Sequence, residues 1–383
     1  MRICVNAMAL RAAGGRSVGL NFLRACAEGA ASHHTIDALV PSGAGYEALA
    51  SENLRIHPVP PWLNRIWFRP YADKIWIPAK VRELEADVLF SMGNIATPFD
   101  GPQLVLFHLP YAIYPDRHSW GKIGWKDRLI LNLMIANVSH TIGGASKVAV
   151  QTETAKRRLM QQFGLPSQQL EVIPNAISLP SEAGVEGQCG SEFDYLRLTE
   201  GRTLLCLSRY YTHKNLEVFL PLARLIREQR LSIRILLTLG AEEMPACRQL
   251  LNQLAAEQLD EIVVNIGPVN MQRVPALYRA VDGMILPTLL ESFSGTYIEA
   301  MYYGVPVLTS DRDFARDVCA DNASYFDPVD PQSILATIEQ LFSDSERLER
   351  CRTGGRARVA SMPSWPQVAE CYISQLEKLH EAG

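Results

Sequence analysis

Residues 283–310 read GMILPTLLESFSGTYIEAMYYGVPVLTS. Met284 to Leu286 form a short apolar run that meets Pro287 and a loop rich in Ser and Gly. A helical pattern follows, then Gly304, then a second apolar run from Val305 to Leu308. Strand, loop, helix and strand in this order make the repeating unit of a parallel sheet with helical crossovers. Glu291 falls in the loop and Glu299 in the first turns of the helix. Open α/β sheets bind ligands at such loops, where helix N–H groups point back at the strand end.

Upstream, Thr203 to Leu207 reads as the first strand of a second α/β set and runs into SRYYTHKNLEVFLPLARLI. Arg209 and Lys214 bracket the turn into a helix with Leu216, Phe219, Leu220, Ala223 and Ile226 on its apolar face. Cations at a helix N-terminus disfavour the helix itself but suit a bound phosphate. Ile233 to Leu239 and Ile262 to Ile266 read as further strands. Downstream, Ser324 to Phe326 is a strand, Pro331 to Phe342 a helix capped by Asp330, and about 366 to 380 a final helix. Residues 178–198, SLPSEAGVEGQCGSEFDYLRL, lose periodicity and gather Ser, Gly, Pro and acids, which marks the linker between domains.

The half before the linker repeats the pattern. Strands are read at Arg2 to Met8, Ile36 to Val40, Leu54 to Pro58, Asp87 to Ser91, Leu104 to Phe107 and Lys147 to Gln151, with Thr152 capping a helix over 153–163. Gly14 and Gly15 precede a helix over Leu20 to Glu28. They are either a tight βα turn or a place where a phosphate or sugar meets bare backbone. The spacing is not the dinucleotide fingerprint. His108 falls at the carboxyl end of a parallel strand, on the ligand side.

Residues 60–80 and 117–128 hold Trp62, Trp67, Trp76, Trp120 and Trp125, five of the six tryptophans, interleaved with Arg and Lys. Either these rings are core with solvated charges around them, or they form an interface to lipid headgroups. The longest apolar run, near Leu129 to Val138, contains Asn132 and Asn137 and is too short to span a bilayer. The opening MRICVNAMAL goes directly into strand-like sequence, without the apolar core of a signal peptide. With 383 residues, 48% hydrophobic and 20% charged, the chain reads as a soluble protein of two or more domains. A net charge of −4 argues against nucleic acid as a partner. Eight scattered cysteines without a C-x-x-C pair read as reduced cytosolic thiols, with no metal-site spacing.

The two carboxylates remain open on residues alone. Thr296-x-x-Glu299 is a capping-box pattern, so Glu299 is either a cap or a ligand group. Glu291, flanked by Ser292, Phe293, Ser294 and Gly295, suits a sugar hydroxyl, or half of a general acid and base pair as in a glycoside hydrolase.

In several motifs taken together the chain resembles the retaining nucleotide-sugar glycosyltransferases of glycosyltransferase family 4. These are Glu291-x7-Glu299 in ESFSGTYIEAMYYGVPVLTS, SRYYTHKN with Arg209 and Lys214, VIPNAIS at 172–178, the Gly14-Gly15 loop, LFHLP with His108, and the closing SWPQVAECYISQL. The resemblance implies the GT-B fold, two Rossmann-like domains facing each other across a cleft. Residues 1–182 would form the acceptor-side domain and 183–365 the donor-binding domain, with 366–383 a helix returning to the N-terminal domain. It implies transfer of a hexose from a UDP- or GDP-sugar to a glycan or lipid-linked acceptor, as in synthesis of bacterial cell-surface polysaccharide, without a metal or other cofactor. Arg209 and Lys214 would hold the pyrophosphate, Glu299 the ribose, and Glu291 the transferred sugar with the amides of Phe293, Ser294 and Gly295 and with Thr296. Gly14 and Gly15 would meet the phosphate, and His108 the sugar. Such an enzyme would be cytoplasmic, with peripheral contact to an anionic membrane through 60–80 and 117–128. The chain departs from the pattern at Ser292, Ser294, Ala176 and Leu109, where the family commonly has Gly or Asp. A nucleotide-sugar epimerase or phosphorylase on the same fold, or a non-catalytic sugar-nucleotide-binding protein, is the alternative.

Overall fold

The computed structural model describes residues 1–176, 192–197, 200–242 and 244–382. The linker expected at 178–198 lies for the most part outside the described residues. Two compact units form: Met1–Pro115, Gly124–Ser178 and Pro363–Gly383 make the first, and Asp116–Ile123 with Leu179–Met362 the second.

The first unit is built on β1 (Arg2–Asn6), β2 (Thr35–Pro41), β3 (Leu54–Val59), β4 (Val88–Ser91), β5 (Gln103–Leu106), β6 (Lys147–Val150) and β7 (Leu170–Val172). All described pairs are parallel, in the order β3-β2-β1-β4-β5-β6-β7. Ile3, Cys4 and Val5 are each fully buried, because helices cover both faces and alternation is not needed. On one face the C-terminal helix Trp365–Ala382 packs into the sheet core. There Tyr372 lies 5.7 Å from Phe22 and 4.9 Å from Phe90 between ring centroids. On the other face Leu63, Ile77 and Val81 close over Cys4, Leu39 and Leu89.

The second unit is built on β8 (Arg202–Cys206), β9 (Ile233–Leu237), β10 (Val263–Asn265), β11 (Gly283–Leu286), β12 (Val307–Ser310) and β13 (Ala323–Phe326). The order is β10-β9-β8-β11-β12-β13, again parallel throughout the described residues. The 283–310 stretch forms the expected strand, loop, helix and strand, with the helix at Gly295–Tyr302. Gly304 ends that helix at φ 67, a left-handed position, and Val305 N–H returns to Ala300 O at 2.9 Å. Gly283 has no room for a side chain: a Cβ there would sit 2.9 Å from Leu204 Cδ2.

Four readings change. The helix after β1 starts at Ala13, so Gly14 and Gly15 lie in its first turn and not in a turn before it. The α-helix after β8 begins only at Phe219, beyond two 3-10 turns separated by Asn215 at φ 58. Lys214 is therefore not at an α-helix N-terminus, and the dipole argument for it lapses. The Thr296–Glu299 capping box does not form, because Ser294 is the N-cap and Glu299 lies inside the helix. Asp116–Ile123, read as part of the N-terminal domain, lies in the second unit. It is held by an Asp116–Arg312 ion pair at 3.5 Å and a Lys122–Glu217 pair at 2.9 Å.

Candidate functional site

In both sheets the first strand is central and the chain reverses direction of travel beside it, between β1 and β4 and between β8 and β11. Loops leaving the carboxyl ends of such strand pairs diverge and leave a crevice. In the second unit those loops are Leu207–Lys214 after β8 and Pro287–Ser294 after β11. They carry Arg209, Lys214 and Glu291.

The two loops are tied together. Leu289 N–H donates to His213 O at 2.7 Å, and the Thr288 hydroxyl donates to the same carbonyl at 3.2 Å. The buried Ser310 hydroxyl at the end of β12 donates to Thr288 O at 2.6 Å, which fixes the second loop from below. On this frame Lys214 Nζ meets Glu291 Oε1 at 2.5 Å, with side chains only 13% and 12% exposed. Glu291 Oε1 is a second acceptor at 3.2 Å for the single Thr288 hydroxyl proton, in competition with His213 O. Asn215 supports Lys214 by occupying a left-handed conformation that Asn tolerates, and its Nδ2 donates to Pro328 O at 2.6 Å. Lys122 also donates to Asn215 Oδ1.

His213 stacks on Tyr211 with centroids 5.6 Å apart. Burial pushes its imidazole down to about 4; Lys214 acts the same way and Glu291 opposes both. The ring is therefore neutral near pH 7 and packs without adding charge to the loop.

Glu299 is the second carboxylate. Burial raises it to about 7, an effect eased by the Tyr278 hydroxyl, which donates to Oε2 at 3.3 Å. Tyr278 in turn stacks on Tyr303 at 5.4 Å. Phe293 and Ser294 lead into Gly295 and Thr296, the first residues of the helix, where N–H groups lack intrahelical partners. The arrangement offers a fixed ammonium, a carboxylate already oriented by that ammonium, a row of amides, and a carboxyl group poised to titrate near neutrality.

In the first unit, His108 follows β5 as expected, and its backbone N–H donates to Asn94 Oδ1 at 2.6 Å. The ring is enclosed, and burial lowers it to about 4. Its Nδ1 is buried with no hydrogen-bond partner among the described residues, and such an atom is costly unless something satisfies it. At Gly14 an added Cβ would meet nothing within 4 Å, whereas at Gly15 it would sit 3.3 Å from Leu10 Cδ2.

Sequence reading missed His213, Thr288 and Tyr278. The first two lie inside stretches already singled out, but their role is to tie one loop to another, which no spacing encodes. Tyr278 comes from a separate helix, Val274–Arg279. No group of three or more His, Cys, Asp and Glu stands close enough to hold a metal among the described residues.

Comparison with known proteins gives two family matches in tandem. The family described as Glycosyltransferase Family 4 matches residues 21–179, and Glycosyl transferases group 1 matches residues 191–358. Mannosylfructose-phosphate synthase of Agrobacterium fabrum is 24% identical over 230 residues, which is 57% of this chain and 50% of that protein. The chain spans about half the length of the curated relatives it matches. Among solved structures, sucrose-phosphate synthase from Thermosynechococcus elongatus superposes with a TM-score of 0.76 at 15% identity, covering 100% of both chains. Anabaena Alr3699/HepE in complex with UDP-glucose gives 0.70 at 14% identity over 99% of this chain and 100% of that one. At these identities the likeness concerns the fold, which is GT-B.

Proposed function

We propose that the chain, matched in tandem by the families described as Glycosyltransferase Family 4 and Glycosyl transferases group 1, is a hexosyltransferase taking its sugar from a nucleoside-diphosphate donor. The observation that carries the reading is the Lys214–Glu291 pair at the β8/β11 switch point. A pyrophosphate competes with Glu291 for the Lys214 ammonium, and Arg209 in the same loop adds a second cation. Glu291, released from full neutralisation, then accepts hydrogen bonds from hydroxyls of the transferred sugar. The amides of Phe293, Ser294, Gly295 and Thr296 line the same turn, and Glu299 takes the ribose hydroxyls. In the first unit the unpartnered His108 Nδ1 suits a sugar hydroxyl, and the first-turn amides at Gly14 and Gly15 suit a phosphate oxygen.

Lys214, held by its ion pair, and Arg209 in the same loop would together stabilise a departing nucleoside diphosphate, so the reading needs no metal ion. The transfer is taken to retain configuration, in keeping with the E-x7-E pattern. HepE, which shares the fold, was solved with UDP-glucose, and this supports a nucleoside-diphosphate hexose, UDP- or GDP-linked, as donor. The acceptor is a glycan or lipid-linked sugar of a bacterial surface polysaccharide, met by a cytoplasmic protein in peripheral contact with an anionic membrane. The exposed aromatic residues within 60–80 and 117–128 support that contact: Trp62, Trp67 and Trp125 are all at the surface.

Glu291→Ala is expected to lower transfer by about 100-fold or more, the usual scale for a polar group aimed at the reacting centre. Its affinity for UDP or GDP should stay within a few-fold of wild type by calorimetry. If nucleotide affinity falls in parallel with transfer, Glu291 belongs to the nucleotide and not to the sugar.

A further inference from the structure

The helix Trp125–Thr141 is seventeen residues long, and Val138 alone among them is buried. Leu131, Ile135 and Val138 fall on one helical stripe and are partly or fully covered, as are Asn137 and Thr141 towards the C-terminal end, so this is the side turned to the rest of its unit. On the other side Trp125, Leu129 and Leu133 follow at intervals of four, with Ile130 and Met134 on the adjoining stripe. All five are exposed, Trp125 at 74% and Leu133 at 64%. The helix is thus apolar on a second face that nothing in its unit covers, a pattern that marks an interaction surface.

We infer that Trp125–Thr141 is an in-plane anchor whose uncovered face inserts into the headgroup region of an anionic lipid surface. The inference deepens the membrane contact proposed above and rests on that part of it. Three observations favour lipid over a second copy of the chain. Lys126 and Arg128 stand in the first turn with one acid, Asp127, between them, and Lys126 lies 5.5 Å from the Trp125 ring centroid. The same unit exposes Trp62, Ile66, Trp67, Phe68, Tyr71 and Ile75. Their stretch, 60–80, has four Lys or Arg against one acid in a chain of net charge −4, with Arg65 and Lys74 outside the Arg69–Asp73 and Lys80–Glu83 ion pairs. An anionic bilayer complements these cations, whereas a two-fold dimer through the helix brings Lys126 and Arg128 against their own copies. No described helix is long and apolar enough to cross a membrane, so the helix lies along the surface with its aromatic and basic end at headgroup level.

The test is co-sedimentation of the whole chain with vesicles of phosphatidylcholine alone and of phosphatidylcholine mixed with phosphatidylglycerol. Wild type is expected to bind the mixed vesicles, and Leu129→Asn with Leu133→Asn to reduce binding about tenfold or more. Brominated lipid should quench wild-type tryptophan fluorescence more than that of Trp125→Phe. Equal binding by wild type and the double variant, or no binding at low salt, overturns the anchor. A concentration-dependent dimer that Leu133→Asn dissociates also overturns it and assigns the face to a second copy. Calorimetry with UDP and GDP on the same variants should match wild type. Absence of hexose transfer and of UDP or GDP binding in wild type that still binds the mixed vesicles counts against the enzyme reading and leaves the anchor standing.

Discussion

Lys214→Ala is expected to weaken nucleoside-diphosphate binding by roughly 10- to 150-fold, the loss of about 1.5–3 kcal/mol that follows from one charge-assisted contact. The geometry adds a second expectation. Lys214 and Glu291 are both largely removed from water, and each is the other's ion-pair partner at 2.5 Å. Removing the ammonium leaves the carboxylate with the Thr288 hydroxyl at 3.2 Å as its remaining contact shown here. An uncompensated charge in such a place is destabilising, by about 3–5 kcal/mol if it were fully buried and by less at this exposure. Removing both groups leaves no orphan, so Lys214→Ala with Glu291→Ala should recover part of the stability that Lys214→Ala loses. Nucleotide affinity should not recover, because the phosphate partner is gone in both. Thermal melts and UDP or GDP calorimetry on the three variants check this. Recovery of affinity in the double variant would mean that Glu291, and not the phosphate, is what Lys214 serves.

How far the site could be read from residues follows from what each residue depends on. Glu291 and Lys214 stood out because each is charged in a loop that follows a legible parallel strand, and periodicity locates such loops well. Both sheets were equally legible, since buried parallel strands read as short apolar runs. The pairing of Lys214 with Glu291 was not legible, because the two lie in loops after different strands and meet only when β8 and β11 become neighbours. Glu299 misled in a different way. Thr296 stands three residues before it as a capping box requires, yet the helix starts earlier, at Gly295, and tertiary burial decides the role of the carboxylate. Trp125 and its neighbours were ambiguous, since an aromatic run reads alike whether its surroundings cover it or not. The burial pattern of the helix, with one buried residue in seventeen, separates the two.

The largest pH effect is expected from three enclosed groups acting with opposite signs. Burial holds His108 and His213 down to about 4 from an ordinary 6.5, and raises Glu299 to about 7 from an ordinary 4.5. A depressed histidine stays neutral in the folded chain while the unfolded chain takes up its proton. Its contribution is present above pH 6.5 and is lost as pH falls toward 4. A raised carboxyl does the reverse: the folded chain keeps a proton that the unfolded chain releases, so its contribution is present below 4.5 and is lost as pH rises through 7. Each is worth at most about 3 kcal/mol. His213 and Glu299 both belong to the second unit, where they largely offset one another between pH 4.5 and 6.5. His108 has no such counterweight among the shifted groups of the first unit, so acid should destabilise that unit first. Glu299→Gln removes the offset. The second unit of that variant should then lose stability below pH 6.5 more steeply than wild type, while its advantage over wild type grows as pH rises from 5 to 8. His108→Gln should flatten the acid dependence of the first unit alone. Denaturant melts that resolve the two units across this range would decide it. A stability difference between Glu299→Gln and wild type that stays constant from pH 5 to 8 would show that the carboxyl is not held protonated, and would leave Glu299 fully ionised at the pH where it is proposed to hold ribose.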